Sequence, residues 1–130
     1  MMNEEDAMRV LRTLLETEGA EWREENGWMR FMSKHGAVLW ETSCRVCGNV
    51  MLFYGRFPFR LKDADRARSL CDEMNRRLVR GALFLEEDGA PVYRLSADTD
   101  DVYMAEERIR DALRYSQQVI THYWGRFSGI

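Results

Sequence analysis

The sequence predicts an α+β fold, an antiparallel sheet packed with three helices in the order helix, strand meander, helix, hairpin, helix. Three observations carry this reading. Apolar residues recur at three- and four-residue steps in three separate segments, 4 to 18, 61 to 79 and about 98 to 124. Between the first two, runs rich in Trp, Phe and Val are punctuated by Asn26-Gly27, His35-Gly36 and Cys47-Gly48-Asn49. Between the last two, Glu87-Asp88-Gly89 carries the Asp-Gly signal of a tight hairpin.

In the first helix the stripe is Ala7, Val10, Leu11, Leu14 and Leu15, with Asn3 placed to cap its start and Gly19 its end. Strands are expected near 21–25, 28–34, 37–46 and 50–59. In the third, Val38, Trp40, Cys44 and Val46 share one face, while Glu41, Ser43 and Arg45 share the other, so one face is core. The fourth is apolar on both sides, with Met51, Phe53, Phe57 and Phe59 on one and Val50, Leu52 and Tyr54 on the other. Such a strand is either central and covered twice, or it offers a face to a second subunit or ligand. Pro58 stops regular pairing. The second helix spans Leu61 to Val79 with Asp63 as cap and Ala67, Leu70, Cys71, Met74 and Leu78 on its stripe. Gly81 opens a hairpin of 82–86 and 92–95. Asp98, Thr99 and Asp100 then lead into a long helix reaching about Trp124, striped by Val102, Ala105, Ile109, Ala112, Leu113, Ser116, Ile120 and Tyr123.

Composition sets the class. The chain has 130 residues, 45% hydrophobic and 32% charged, with a formal net charge of −3, which suits one soluble domain over 1–130 with a core of its own. No apolar run approaches a membrane span, and the first residues are acidic where a signal peptide is basic, so a cytoplasmic protein without membrane contact is expected. Residues 1–27 carry 8 acids and 3 bases, 28–81 carry 5 and 11, and 82–130 carry 9 and 5. The basic middle third is flanked by acidic ends and its arginines are spread over two strands and a helix. That is the pattern of internal ion pairs, and nucleic-acid binding is not expected.

The chain has no nucleophile elbow, phosphate-binding glycine loop, His-Glu-x-x-His helix or EF-hand loop. Its two histidines give imidazole chemistry little material. The acidic runs Glu86-Glu87-Asp88 and Asp98-Thr99-Asp100-Asp101 read as a hairpin turn and a helix cap. Cys44 and Cys47 have the Cys-x-x-Cys spacing of zinc and thiol redox sites. A structural zinc site needs four ligands, however, and Cys71 falls on a core stripe. Cys44 itself reads as inward-facing in a strand, not at the helix start that activates a thiol. The aromatic supply is the better lead: Trp22, Trp28, Trp40, Trp124, Tyr54, Phe57 and Phe59, with eight methionines, suit adaptable hydrophobic recognition. Tyr54, Arg56 and Trp124 are the candidates for partner contact. Arg76, Arg77 and Arg80, on the polar side of the second helix, are placed to dock an acidic segment.

The order of elements, the strand Leu52-Phe53-Tyr54-Gly55-Arg56-Phe57-Pro58-Phe59, Asn75 four positions past Cys71, Gly81-Ala82-Leu83-Phe84-Leu85 and Val92-Tyr93-Arg94-Leu95-Ser96 together resemble the YbjN-like family. The resemblance covers roughly residues 4 to 124. That family is described as proposed bacterial sensory transduction regulators and shares the fold of type III secretion chaperones. The resemblance implies a small dimerising α+β scaffold with no known catalytic chemistry, whose chaperone relatives bind extended segments of other proteins. Cys44-Arg45-Val46-Cys47 departs from the family pattern and leaves room for a private metal or redox role. The expectation is a non-enzymatic protein-binding module, chaperone-like or regulatory, working as a homodimer without a cofactor. The alternative is a metal- or redox-responsive regulator using Cys44 and Cys47.

Overall fold

A computed structural model describes residues 3–129. Its elements run α1 (Glu4–Thr17), β1 (Trp22–Glu25), β2 (Trp28–His35), β3 (Val38–Cys47), β4 (Val50–Arg56), α2 (Ala64–Asn75), β5 (Ala82–Leu85), β6 (Pro91–Asp98) and α3 (Ala105–Ser128). The expected α+β class and the order of elements hold. The six strands form one antiparallel sheet in the order β1-β2-β3-β4-β6-β5. Against it, α1 lies on β3 and α3, α3 on β2, β4 and β6, and α2 on β5. Buried side chains of all three helices meet the inward residues Met29, Cys44, Met51, Phe53, Leu83 and Leu95 in one core. No helix among the described residues is long and apolar enough to cross a membrane.

The first helix is as expected. Asn3 accepts from the Asp6 amide at 2.8 Å, the Asp6 carboxylate accepts in return from the Asn3 amide, and Gly19 leaves the helix at φ +71°. The second helix is shorter than its apolar spacing predicts. Asp63 does cap it, accepting from the Arg66 amide at 3.1 Å, which places Leu61 outside. Leu61 is buried all the same, its amide bonded to the Gly89 carbonyl at 2.8 Å. At the other end the helix stops at Asn75, whose side chain turns to β5. Asn75 Nδ2 donates to the Leu83 carbonyl at 2.8 Å, and the Leu83 amide donates to Asn75 Oδ1 at 2.7 Å. One amide side chain thus fills the place of a missing strand neighbour and closes the outer edge of β5.

The third helix also differs from expectation. It starts at Ala105 without a side-chain cap, because β6 runs on through Asp98 with strictly alternating burial from Tyr93 onward. Thr99 continues that strand and is buried, its amide donating to the Asn49 carbonyl at 2.7 Å. Asp100 pairs with Arg108 at 3.1 Å, and Asp101 caps the Tyr103 amide at 2.9 Å. Val102, placed by periodicity on the core stripe, is therefore 55% exposed, and Tyr103 beside it 92%. The fourth strand ends at Arg56 instead of Phe59: the Phe57 amide crosses to the Pro91 carbonyl at 3.0 Å before Pro58 interrupts.

Candidate functional site

Strand parity decides which residues stand on the face that no helix covers. In β2 these are Trp28, Arg30, Met32 and Lys34; in β3, Leu39, Glu41, Ser43, Arg45 and Cys47; in β4, Val50, Leu52, Tyr54 and Arg56. Register aligns them across the sheet, so Arg23, Arg30, Ser43, Tyr54, Arg94 and Ala82 make one row through all six strands. A second row runs Met32, Glu41, Arg56, Val92 and Phe84. Strand β4 is therefore central in pairing yet covered by helices on one face only. Its second apolar face is the open one.

At the middle of that face lies an aromatic and arginine cluster. Trp28 and Tyr54 meet edge to face with centroids 5.5 Å apart, and the guanidinium groups of Arg30 and Arg45 stand 5.6 and 5.5 Å from the Trp28 ring. Arg30 Nη1 also reaches the Ser43 hydroxyl at 3.3 Å. A shallow cavity of about 230 Å³ lies between Trp28, Tyr54, Arg56, Phe84 and Val92. Acids are interleaved: Glu41 faces Arg23 at 3.5 Å and Arg30 at 3.9 Å, and Arg56 pairs with Glu86 at 2.9 Å and with Asp88. The Asp88 carboxyl is held below its ordinary value, first by the Ala90 amide and then by Arg56 and Arg60. Among the described residues, Arg45 and Arg94 face no carboxylate within 4.0 Å. The face therefore presents half-buried aromatic surface beside unpaired positive charge.

Of the residues singled out from sequence, the structure brings Tyr54 and Arg56 together here and sends the others elsewhere. Trp124 is half-buried at the far end of α3, stacked on Phe57 at 5.6 Å and edge-on to Phe59 at 5.2 Å. Arg80 is committed inside the fold, to Asp111 at 3.1 Å, to the Ser96 carbonyl at 2.8 Å and over the Tyr115 ring. Arg76 and Arg77 are exposed beyond the end of α2, with Arg77 at 3.9 Å from Glu73. At the centre of the cluster stand Trp28, which the sequence reading names only among the aromatic residues, and Arg30, which it does not name. Their parity with Met32 and Lys34 was the available signal.

The cysteine pair does not converge. Three residues apart in one continuous strand, Cys44 points into the core between Met29 and Phe53, and Cys47 is exposed on the open side opposite Val50. Burial pushes the Cys44 thiol well above its ordinary value, away from the thiolate that metal binding and redox exchange require. Among the described residues no group of three or more His, Cys, Asp or Glu side chains stands together to hold a metal ion.

No protein-family model matches the sequence, and no curated protein matches it either. One solved structure is similar: that of YbjN, described as a proposed transcription regulator from E. coli, superposes with a TM-score of 0.65 over 88% of this chain and 86% of that one. The two chains share the YbjN fold. Identity with YbjN is 16%, so the likeness is one of architecture. Some of the residues that carried the resemblance in sequence hold this chain's own fold together. Asn75 clamps β5, and Gly81 turns at φ +76°, where an added Cβ would stand 2.5 Å from the Arg94 carbonyl and 2.7 Å from the Tyr93 hydroxyl. That hydroxyl donates to the Arg80 carbonyl at 2.7 Å and locks the turn.

Proposed function

We propose that this chain is a non-enzymatic protein-binding module that receives a segment of another protein on the open face of its sheet. The observation that carries the reading is the cluster of Trp28, Tyr54, Arg30 and Arg45 on a face that no helix covers. Aromatic and arginine side chains dominate binding energy at protein interfaces, and the unpaired Arg45 and Arg94 favour a segment that mixes apolar and acidic residues. Carboxylates interleaved with the arginines argue for protein over nucleic acid. A regulatory or chaperone-like role fits the shared architecture, since YbjN is itself described as a proposed transcription regulator.

The module acts as a homodimer in this reading, in the cytoplasm. Val102, Tyr103 and Met104 form a run of exposed apolar side chains suited to a second copy. Two measurements test the proposal. Light scattering is expected to give twice 15.4 kDa. Immobilised wild-type chain is expected to retain proteins that a Trp28→Ala, Arg45→Glu variant of equal stability does not. A monomer whose retained proteins are unchanged by that variant overturns the proposal.

A further inference from the structure

Among the described residues, the large apolar side chains left exposed fall in three places. Met32, Leu39 and Phe84 stand on the open face of the sheet itself. Val79 lies in the loop after α2, close in sequence to the exposed Arg76 and Arg77 and so in a basic setting. Val102, Tyr103 and Met104 make the third place, with Asp100 and Asp101 before them and Glu106 and Glu107 shortly after. This last is an acidic and apolar segment, the composition that the open face is suited to receive. Its shape is set in advance: Asp101 accepts from the Tyr103 amide through Oδ1 at 2.9 Å and from the Met104 amide through its carbonyl at 3.1 Å, and the Met104 carbonyl accepts from the Arg108 amide at 2.9 Å. Three apolar side chains are thus offered to water by a turn with little freedom left to lose, which lowers the cost of docking them.

The charges left over on the two surfaces are opposite. Around the turn, Asp100 pairs with Arg108 at 3.1 Å and Glu106 with Arg110 at 2.9 Å, while Asp101 and Glu107 have no basic partner within 4.0 Å among the described residues. On the open face, Glu25 and Glu41 are taken by Arg23 and Arg30, and Glu86 and Asp88 by Arg56. Arg45 and Arg94 are left over at its middle and Lys34 at one end. Of the acids on its strands Asp98 alone is unpaired, and it stands at the margin where β6 runs into the turn. The turn is kept off its own face, because Thr99 is buried on the covered side and Asp100 is tied to α3. What it complements is therefore the face of another copy.

We infer that the turn from Asp100 to Met104 of one copy docks on the open face of a second, with Val102 and Tyr103 against Trp28 and Tyr54, and Asp101 and Glu107 near Arg45 and Arg94. Tyrosine and tryptophan are the residues that anchor such contacts, and the charges fix which way the turn lies. Reciprocated about a twofold axis, the contact closes a dimer. It deepens the proposed function and rests on the open face being a binding surface: a segment of another protein has to displace a turn, so that self-association and partner binding compete for one site.

The test is a dilution series of the full-length ¹⁵N-labelled chain with the four indole N–H signals assigned. The Trp28 signal is expected to move with concentration while those of Trp40 and Trp124 stay. Val102→Ser with Tyr103→Ser is expected to weaken self-association about tenfold or more and to leave the thermal midpoint unchanged, since both side chains are exposed. Complementation then isolates the contact. The labelled turn variant keeps its face, and unlabelled Trp28→Ala, Arg45→Glu chain keeps its turn, so adding the second to the first is expected to move the Trp28 signal again. Unlabelled chain carrying all four substitutions is expected to leave it still. The inference is overturned by a Trp28 signal fixed up to about 1 mM chain, by a turn variant whose Trp28 signal moves as the wild type's does, or by failure of the complementing pair. In each of those cases the open face remains available to another protein, and retention of partners by wild type over the face variant decides the proposed function separately.

Discussion

Phe53 and Tyr54 are neighbours in β4 and face opposite sides of the same sheet. Phe53 is 1% exposed and packs among Cys44, Leu95 and the helices, whereas Tyr54 is half-buried among Trp28, Ser43 and Arg94. The covered face is closed by apolar side chains, and most of its polar groups are paired. The open face carries fewer aromatic side chains, Trp28, Tyr54 and Phe84, and holds them in a grid of arginines and carboxylates that water reaches. In the proposed reading, stability and recognition fall to alternate residues of the same strands. A change on one side should move folding and leave binding, and a change on the other should do the reverse.

The largest effect comes from putting that pair to the test. Phe53→Ala is expected to lower the unfolding free energy by about 3–5 kcal/mol, and Tyr54→Ala by no more than about 1 kcal/mol, in urea titrations followed by far-UV circular dichroism. Equal losses would mean that the open face is a second core surface and would break the comparison. At the sheet margin, Asn75→Ala removes both bonds to Leu83 and leaves that strand edge unpaired. A loss of about 2–3 kcal/mol is expected, together with concentration-dependent self-association through β5, visible by light scattering. Asn75→Gln, one methylene longer, should not restore the clamp.

How much of this was legible follows from what periodicity encodes. Parity along β3 and β4 separated the two faces correctly: burial alternates strictly from Val50 to Arg56, and between Leu39 and Cys47 the buried Ser43 is the one break in the alternation. Parity also condemns the cysteine pair as a joint ligand, since positions three apart in a strand must oppose. Apolar spacing misled where coil packs on the core: Leu61 and Leu78 keep helical step with α2 but lie outside it, and Val102 keeps step with α3 yet sits in an exposed turn. Strand order was beyond reach, because nothing local says that β4 pairs with β6 and leaves β5 at the edge. Tyr54 and Arg56 were legible as lying, by parity, on the face of β4 opposite Met51 and Phe53. Trp124 and Arg80 were not, because the groups that occupy them, Phe57 and Phe59 for one and Asp111 and Ser96 for the other, are distant in the chain.

The thiols sharpen the comparison with chemistry in place of mutation. In native protein one of the three, Cys47 on the open side, is expected to react rapidly with a disulfide reagent, while Cys44 and Cys71 wait for unfolding. Burial, and then the charge of Asp72, push the Cys71 thiol from 9.0 up to about 11. Between those values the unfolded chain loses its proton first and the native state binds more protons, so stability falls as pH rises. For Cys71 the decrease from pH 8 to 10 is expected to be on the order of 1 kcal/mol, with Cys44 adding in the same direction. Cys71→Ala should remove its share of that slope. A slope unchanged by the substitution would show the thiol to be open to water and the covered side to be less sealed than its packing indicates.

The smallest effect probes how far the covered side extends. Glu24 has the inward parity of β1, but at the sheet edge it meets Arg12 of α1, whose Nε lies 2.5 Å from Glu24 Oε1 and whose Nη1 lies 2.8 Å from Glu5 Oε1. The hydrogen bond from Arg12, foremost, holds the Glu24 carboxyl below its ordinary 4.5. A carboxyl lowered on folding stabilises the native state above its unfolded value, and that stabilisation is lost as pH falls through the folded one. The pair is nearly half-exposed at Glu24 and so largely screened. Glu24→Gln is expected to cost less than about 1 kcal/mol at neutral pH, and the difference from wild type should vanish in acid below the folded value and shrink in molar salt. A loss that persists in acid and salt would instead mean that Glu24 is held by packing, and that the dry side of the sheet reaches to its last strand.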